Sequence, residues 1–552
     1  MRKSFKKVFA LMSIIAMMTT SIAGCGKANE NTNVKGEDGN TTVNSGQNES
    51  SPNNEDGTVT YPVKSTEKLT FGMVTSNAWN DRFESFTDLP LGKALQVQTG
   101  IEIEMIHVEN NTAMSLLLAS GNLPDILLFN FQMHYTGGEA KAIDDGVIYP
   151  LSEEFLAENA PDYLKVLQSN EAYMKGSTTP NKDIYGFTFI VGDEVLKTGY
   201  GLTVRDDWCK ELGIELPETP EEFHNMLVAF RDQKGVKSPL SISSGNMSEL
   251  LDRGIITSPF GLVTRDIYVD NKQVEIGFAK NEYKDVLEYL NKLYEEGLLD
   301  ANFSTLDSAT VTSNILSGQS GVASGALNGG LGTWLQTNKD VENYSLAGIH
   351  NLVSNRGDKA LYGHYNTDVV GGTAVITSSC KNKELAARFL NYGYTEDGHT
   401  LYNFGVEGES FDMVDNYPTY SDYIMNNPEG LSKQKAMSEY LLAFNNGPFV
   451  QDKRYLEQYA DLPEQKEAME IWMDNDAAVY KLPRISINAD TISEYSTLLS
   501  DLQTYRDEMT IKFIRGTESL DNFDKYLETL ESMGVSRIKE IVQDAVDEYY
   551  AR

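Results

Sequence analysis

The fold is decided by three short apolar segments: LTFGMVT at residues 69–75, EIEMIHV at residues 102–108 and PDILLF at residues 124–129. Helical patterns lie between them, at residues 91–99 and 112–120, and a glycine ends the second. The three segments have the length and the apolar or alternating pattern of strands. Alternation of strands and helices predicts an α/β fold with a mostly parallel sheet and helices on both faces.

The middle of the chain continues this alternation. Residues 199–205 predict a strand, and Thr219 opens a helix with proline in the first turn and glutamate three residues after the cap. Residues 283–294 form an amphipathic helical pattern, and residues 368–377 predict a returning strand. The glycine-rich run at residues 318–332 is interpreted as loops and turns.

The first residues predict secretion and a lipid anchor. A basic start precedes an apolar run at residues 8–22, which is short and interrupted by Ser and Thr, as in a signal peptide. Small residues then lead to Cys25, as in a bacterial lipobox. We therefore expect residues 1–24 to be a lipoprotein signal peptide, Cys25 to be lipidated, and residues 25–67 to be a disordered polar tether. The alternative is an ordinary secretory signal with a chance cysteine.

The charge balance restricts the partners. The chain has 46 basic and 81 acidic residues and a formal net charge of −35. Nucleic acid and anionic lipid would be repelled by such a surface, so neither is expected as a partner. The same balance favours a neutral glycan over a uronate, unless Arg and Lys line the binding cleft.

Motifs of catalytic and metal sites are missing from the sequence. There is no H-E-x-x-H, no G-x-S-x-G and no G-x-x-x-x-G-K-[ST]. We expect no catalytic residues, no metal and no cofactor, although a glycosidase pair of carboxylates stays open among so many acidic residues. The informative class is aromatic: 29 Tyr, 22 Phe and 4 Trp suit a cleft that stacks rings on sugar C–H faces, with core packing as the rival interpretation.

Six segments in order carry a family resemblance: SGNLPDI (120–126), VRDDWCKELGIELPETPEEF (204–223), LNKLYEEGLLD (290–300), NKELAARFLNYGYTEDG (382–398), FGVEGESF (404–411) and KFIRGTESLDNFDKYLETLESMG (512–534). Together with the lipobox and tether, they resemble family 1 extracellular solute-binding lipoproteins of carbohydrate ABC importers. The later segments look like the long branch common in Gram-positive bacteria, which is related to alginate-oligosaccharide-binding proteins.

The resemblance implies a two-lobed, periplasmic-binding-protein-like type II fold with a hinge between the lobes and C-terminal helices. By analogy, residues 68–197 and 365–405 form lobe 1. Residues 198–364 and 406–552 form lobe 2 and the C-terminal helices.

The resemblance also implies where the ligand lies. Relatives place cleft residues after the first strand and after the P-D-I strand, at turns after a small-residue run, and in a G-x-E-G loop. The positions that match these places here are Trp79, Asn80, Phe129, Asn130, Gln132, Trp334 and Glu407. Core packing is the rival role for Phe129 and Trp334, and helix capping is the rival role for Glu407.

The function implied is passive capture of a carbohydrate, expected to be an oligosaccharide, and its delivery to ABC permease subunits. The protein is expected to be a monomer on the extracellular face of the membrane. Two alternatives stay open: a lipid-anchored sensor or binding protein for a non-sugar solute, and a polysaccharide hydrolase.

One departure from the family concerns calcium. Many relatives carry a calcium loop after the helix that begins at Thr219, but residues 231–238 read RDQKGVKS here and lack the oxygen ligands that calcium needs. We therefore predict that calcium leaves the melting temperature unchanged. A calcium-dependent rise that is abolished by substituting Asp232 would contradict this prediction.

Overall fold

The computed structural model describes residues 58–74, 82–442 and 447–552. In chain order, its strands are β1 Lys68–Val74, β2 Glu102–Val108, β3 Ile126–Phe129, β4 Ile190–Val191, β5 Tyr200–Arg205, β6 Ile267–Asp270, β7 Gln273–Ile276, β8 Val322–Ala326, β9 Leu346–Gly348, β10 Thr373–Ile376, β11 Phe411–Val414, β12 Tyr417–Tyr420 and β13 Val450–Gln451.

The helices surround these strands. In chain order they are α1 Pro90–Thr99, α2 Asn111–Ser120, α3 Phe131–His134, α4 Gly138–Asp144, α5 Glu153–Asn159, α6 Pro161–Ser169, α7 Glu171–Gly176, α8 Asp206–Leu212, α9 Pro220–Gln233, α10 Ser244–Asp252, α11 Glu282–Glu295, α12 Ser308–Ser317, α13 Thr333–Thr337, α14 Lys383–Asn391, α15 Glu396–Phe404, α16 Asp422–Met425, α17 Lys433–Tyr440, α18 Lys453–Tyr459, α19 Pro463–Met473, α20 Ala477–Tyr480, α21 Ile492–Ile514, α22 Phe523–Ser532 and α23 Val535–Ala551.

The first sheet has the order β10-β3-β1-β2. The pairs of β1 with β2 and β3 are parallel, and β10 joins β3 in the antiparallel sense. Ile126 and Leu128 pack into one hydrophobic core, whereas the alternate residues Leu127 and Phe129 pack into another. Because both faces are covered, β3 is apolar throughout, and the mostly parallel sheet predicted from the sequence is confirmed.

The second sheet has the order β8-β5-β9, and both of its pairs are antiparallel, so the parallel pairing predicted from the alternation of strands and helices is wrong for this sheet. Strands β5 and β8 share a large core with α9, α11, α21 and α23, whereas Leu346 of β9 packs into a separate core. The capping box at the start of α9 is confirmed: the Thr219 side chain accepts the Glu222 N–H, and the Glu222 carboxylate accepts the Thr219 N–H.

Two predictions from the sequence were wrong in extent or type. The run at residues 318–332 is not all loop, because it holds β8 and a π-helical turn at Leu327–Gly332. Two of its glycines, Gly321 and Gly325, make room for aromatic rings: a Cβ at Gly325 would lie 2.8 Å from Trp334 Cη2. The returning strand is also shorter than residues 368–377, since only Thr373–Ile376 pairs with β3.

Strand β5 of the second sheet packs closely against α19, where the Trp472 indole lies next to Gly201. Trp472 of α19 is fully buried, and its Nε1 donates to the Ile349 carbonyl at 3.1 Å. A Cβ at Gly201 would lie 2.3 Å from Trp472 Cε2, whereas a Cβ at Gly199 would meet nothing within 4 Å. The absence of a side chain at position 201 is therefore what lets the indole lie against the sheet.

Gly201→Ala is expected to lower the free energy of unfolding by about 1–3 kcal/mol, because the added methyl overpacks the indole. Gly199→Ala, two residues away, is the matched control and should change it by less than about 1 kcal/mol. Urea denaturation followed by tryptophan fluorescence measures both variants. Equal stability of the two variants would contradict this account of the contact.

Candidate functional site

A cavity of about 1050 Å³ lies where the elements around the first sheet meet those around the second. One wall is the chain that follows β3, and another is the segment at residues 362–371, which crosses towards β10. The segment at residues 481–487 and one face of α21 complete it. Pockets for small ligands commonly span about 300–1,000 Å³, so this cavity has room for a ligand at the large end of that range.

Two chain segments run side by side across this junction, and Lys197 ties them together. The buried Nζ atom of Lys197 lies 2.5 Å from a Glu194 oxygen and 2.9 Å from an Asp368 oxygen. Burial disfavours the ammonium, but these two carboxylates outweigh burial and raise the pKa of Lys197. Tyr365 adds a hydrogen bond to Glu194 at 2.7 Å. The crossing is therefore held by an ion-pair network rather than by apolar packing alone.

Backbone hydrogen bonds continue this contact towards the second sheet. The Asn366 N–H donates to the Lys197 carbonyl at 2.9 Å, and the Thr198 hydroxyl donates to the His364 carbonyl at 3.0 Å. The Gly199 N–H donates to His364 Nδ1 at 3.1 Å. Because Nδ1 accepts, the neutral imidazole carries its proton on Nε2.

A buried ion pair anchors the third wall. Arg484 Nη2 lies 2.7 Å from Glu139 Oε1, and both side chains are 7% exposed. The Arg484 guanidinium also lies over the Tyr185 ring at 5.6 Å and donates to the Val369 carbonyl at 3.4 Å. These contacts of Arg484 therefore hold the segment at residues 481–487, which lines the cavity, against the elements around the first sheet.

Three of the five basic side chains that line the cavity influence one another: Arg253, His364 and Lys481. Burial, followed by the charges of Arg253 and Lys481, holds the pKa of His364 well below its usual value, so the imidazole is neutral at pH 7. Burial also lowers the pKa of Lys481, and Asp266 partly offsets this effect. The Arg253 guanidinium lies over the Tyr200 ring, 4.1 Å from its centroid. Its Nη2 atom lies 3.4 Å from Glu249 Oε1.

Two of the residues predicted from the sequence line this cavity: Asn130 and Gln132. Asn130 directly follows β3, and its Oδ1 caps α3 by accepting the Met133 N–H at 3.1 Å. Gln132 is exposed at the cavity wall. Their role in binding stays a prediction.

The structure places three other predicted residues outside the cavity lining. Phe129 is 3% exposed and stacks edge-on against Phe131, with ring centroids 5.1 Å apart. Trp334 is 4% exposed, and its Nε1 donates to Thr312 at 3.3 Å. Glu407 is exposed in the turn that precedes β11. Trp79 and Asn80, like Cys25 and the predicted signal peptide, lie outside the described residues.

Sequence reasoning missed most of the cavity wall. Arg253, His364 and Lys481 are separated by more than a hundred residues from one another, and none belongs to a local motif. No signal in a single sequence marks them, because the crossing of two segments brings them together.

The segment predicted to bind no calcium, residues 231–238, begins in the last turn of α9. There Arg231 Nε pairs with Asp232 Oδ1 at 2.7 Å. Within residues 58–74, 82–442 and 447–552, no group of three or more His, Cys, Asp or Glu side chains is arranged to hold a metal ion. The two cysteines of this part of the chain, Cys209 and Cys380, are buried free thiols, and burial raises the pKa of each to about 12.

The α/β architecture with a large cavity at the junction of its two halves is that of a solute-binding protein. Residues 83–400 match the family described as bacterial extracellular solute-binding protein, which is more than half of the chain. The chain therefore belongs to this family. In the described part of the chain, no helix combines the length and the apolar character needed to cross a bilayer.

Relatives extend the similarity over nearly the whole chain. The fructooligosaccharide ABC transporter substrate-binding protein FusA of Streptococcus pneumoniae serotype 4 is 24% identical over 527 residues, which is 89% of this chain and 92% of FusA. The polygalacturonan/rhamnogalacturonan-binding protein YtcQ of Bacillus subtilis is 22% identical over 82% of this chain and 87% of YtcQ. Lipoprotein LipO of the same organism is 24% identical over 71% of this chain and 76% of LipO.

Solved structures share the fold. The alginate-binding protein AlgQ2 without calcium ion superposes with a TM-score of 0.72 at 19% identity, over 87% of this chain and 99% of AlgQ2. FusA in complex with kestose superposes with a TM-score of 0.68 at 20% identity, over 88% of this chain and 100% of FusA. The two-lobed solute-binding fold predicted from the sequence is confirmed.

Proposed function

We propose that this protein captures an oligosaccharide outside the cell and delivers it to the permease of an ABC transporter. The cavity of about 1050 Å³ at the lobe junction is the observation that carries the proposal. The sugar-binding relatives FusA and YtcQ support a carbohydrate ligand and, through FusA, an ABC transporter as the partner. A ligand that contacts both lobes favours the closed arrangement by its differential affinity for that arrangement.

The lining of the cavity suits a sugar. Tyr135 and Tyr365 offer aromatic rings for C–H faces, and Asn130 and Gln132 offer amides for hydroxyl groups. Three carboxyl groups line the cavity, and two of them, Glu139 and Asp252, are already held by Arg484 and Arg265, which leaves Asp266 without the second free carboxyl group that a glycosidase pair needs. This arrangement supports binding without bond cleavage.

We also propose lobe borders at residues 68–197 with 365–405 and at 198–364 with 406–552. The division of the hydrophobic cores supports them: Leu69 to Val191 and Val369 to Tyr402 share one core, and Tyr200 to Leu352 share another with the C-terminal helices. Phe449 departs from the pattern, since it packs with the first of these cores.

A thermal-shift screen of the chain from residue 60 onward tests the proposed capture. Neutral and acidic oligosaccharides, monosaccharides and peptides are the ligands, and each mixture is checked for hydrolysis. We expect one class of intact oligosaccharide to raise the melting temperature by several degrees. Gln132→Ala should weaken that binding by about tenfold, as loss of one hydrogen-bonding partner in a site does, and leave the ligand-free melting temperature unchanged. No shift with any glycan, or cleavage of one, would contradict the proposal.

We further propose that Cys25 carries the lipid that holds the protein at the membrane surface. The lipobox-like residues before it and the lipoprotein relative LipO support this anchor. Cys25→Ser is expected to release the protein into the culture medium, because the acyl chains that bury methylenes in the bilayer are lost. Cys209→Ser is the control and should leave it membrane-bound. Retention of the Cys25→Ser variant in the membrane fraction would contradict the anchor.

A further inference from the structure

One wall of the cavity is rich in hydrogen-bond donors. Arg253 ends α10, His364 lies on the crossing segment, and Lys481 follows α20. All three line the same cavity, and the charges of Arg253 and Lys481 both contribute to the lowered pKa of His364. We call Arg253, His364 and Lys481 the donor wall.

Lys481 is the least satisfied member of the donor wall. In the part of the chain that the structure describes, no carboxylate oxygen lies within 4.0 Å of its Nζ atom, and no hydrogen bond engages that atom. The side chain is partly buried in the cavity wall, although 81 acidic residues are available in the chain to neutralise it. Removing an ammonium from water without a partner is costly, so the position is explained if a ligand supplies the partner.

The other two members are donors with spare capacity. His364 accepts at Nδ1 from Gly199, which leaves the Nε2–H of the neutral ring to donate. Arg253 has five N–H groups, and among the residues that the structure describes it forms an ion pair only with Glu249, at 3.4 Å. A ligand group that fits here must accept several hydrogen bonds at once.

The acidic side chains around the donor wall do not supply this acceptor. Asp252 accepts two hydrogen bonds from Arg265, at 2.6 and 2.8 Å, and Glu139 is paired with Arg484. Asp266 is the remaining carboxyl group, and it lies more than 4.0 Å from Lys481 Nζ. Burial and the neighbouring Asp252 raise the pKa of Asp266, which disfavours its negative charge.

We propose that the donor wall binds the carboxylate of an acidic sugar, so that the captured solute is a uronic-acid-containing oligosaccharide. A carboxylate is flat and singly charged, and it accepts from a guanidinium fork and from an ammonium at the same time. This inference rests on the proposed function, since it names the class of sugar that the same cavity takes. It also reverses the expectation of a neutral glycan, which came from the net charge of the whole chain and not from the charges that line the cavity.

The test compares acidic sugars with their neutral counterparts by isothermal titration. The ligands are trisaccharides of galacturonic acid and of mannuronic acid, each beside its carboxyl-reduced form, and a sulfated neutral trisaccharide. We expect at least one uronate trisaccharide to bind at least tenfold more tightly than its reduced form, with affinity that falls as salt is added.

Lys481→Met is expected to weaken uronate binding at least tenfold and to leave binding of the reduced form within threefold. Lys481→Arg should restore most of the uronate affinity, because it keeps the positive charge. Lys339→Met, at an exposed lysine outside the cavity, is the matched control and should bind as the parent chain does. Melting temperatures without ligand establish that each variant is folded.

Each other outcome overturns the inference in a distinct way. Tighter binding of the reduced trisaccharides would overturn the acidic-sugar assignment and leave the proposed capture of an oligosaccharide standing. Tighter binding of the sulfated sugar would overturn the choice of a carboxylate. Equal loss of acidic and neutral binding in Lys481→Met would remove the specific role of the ammonium. Binding of no glycan in any arm would overturn the inference and the proposed function together.

Discussion

The chain crosses between two sheets, and the geometry of those crossings is the constraint on which the site depends. Two crossing segments are held side by side by the ion pairs of Lys197 with Glu194 and Asp368. A third segment is held by the ion pair of Arg484 with Glu139. Breaking one partner of a buried pair leaves an uncompensated charge and commonly costs about 3–5 kcal/mol. The junction is therefore specified by charge pairs that favour one alignment of the segments, and the cavity is the space that this alignment leaves.

The sheets on either side explain why the junction can be built from charges. In the first sheet both faces of β3 are covered, so all the apolar side chains of β3 pack in hydrophobic cores. In the second, Trp472 fills the space above Gly201. Polar groups are left for the loops after the strands and for the crossing segments, where ligand sites of open α/β sheets occur.

Much of the fold could be predicted from the sequence, because its signals are local. The capping box at Thr219 and the apolar strand that ends at Phe129 each depend on neighbours within a few residues. The glycine-rich run was wrongly predicted to be all loop, because some of its glycines make room for aromatic rings that are distant in sequence. Gly321, for example, lies against Phe230. The candidate site was predictable only where it adjoins a recognisable strand, at Asn130 and Gln132. Arg253, His364 and Lys481 meet only through the tertiary crossing, which no spacing encodes.

The central claim is that the cavity at the lobe junction holds one intact oligosaccharide without breaking it. Native mass spectrometry of the chain from residue 60 onward, incubated overnight with an oligosaccharide that raises its melting temperature, measures this directly. The account predicts a single added mass equal to one intact oligosaccharide per chain, unchanged between the first minute and the last hour. Shorter sugars that accumulate with time, or several weak additions with no saturating one-to-one complex, would contradict it.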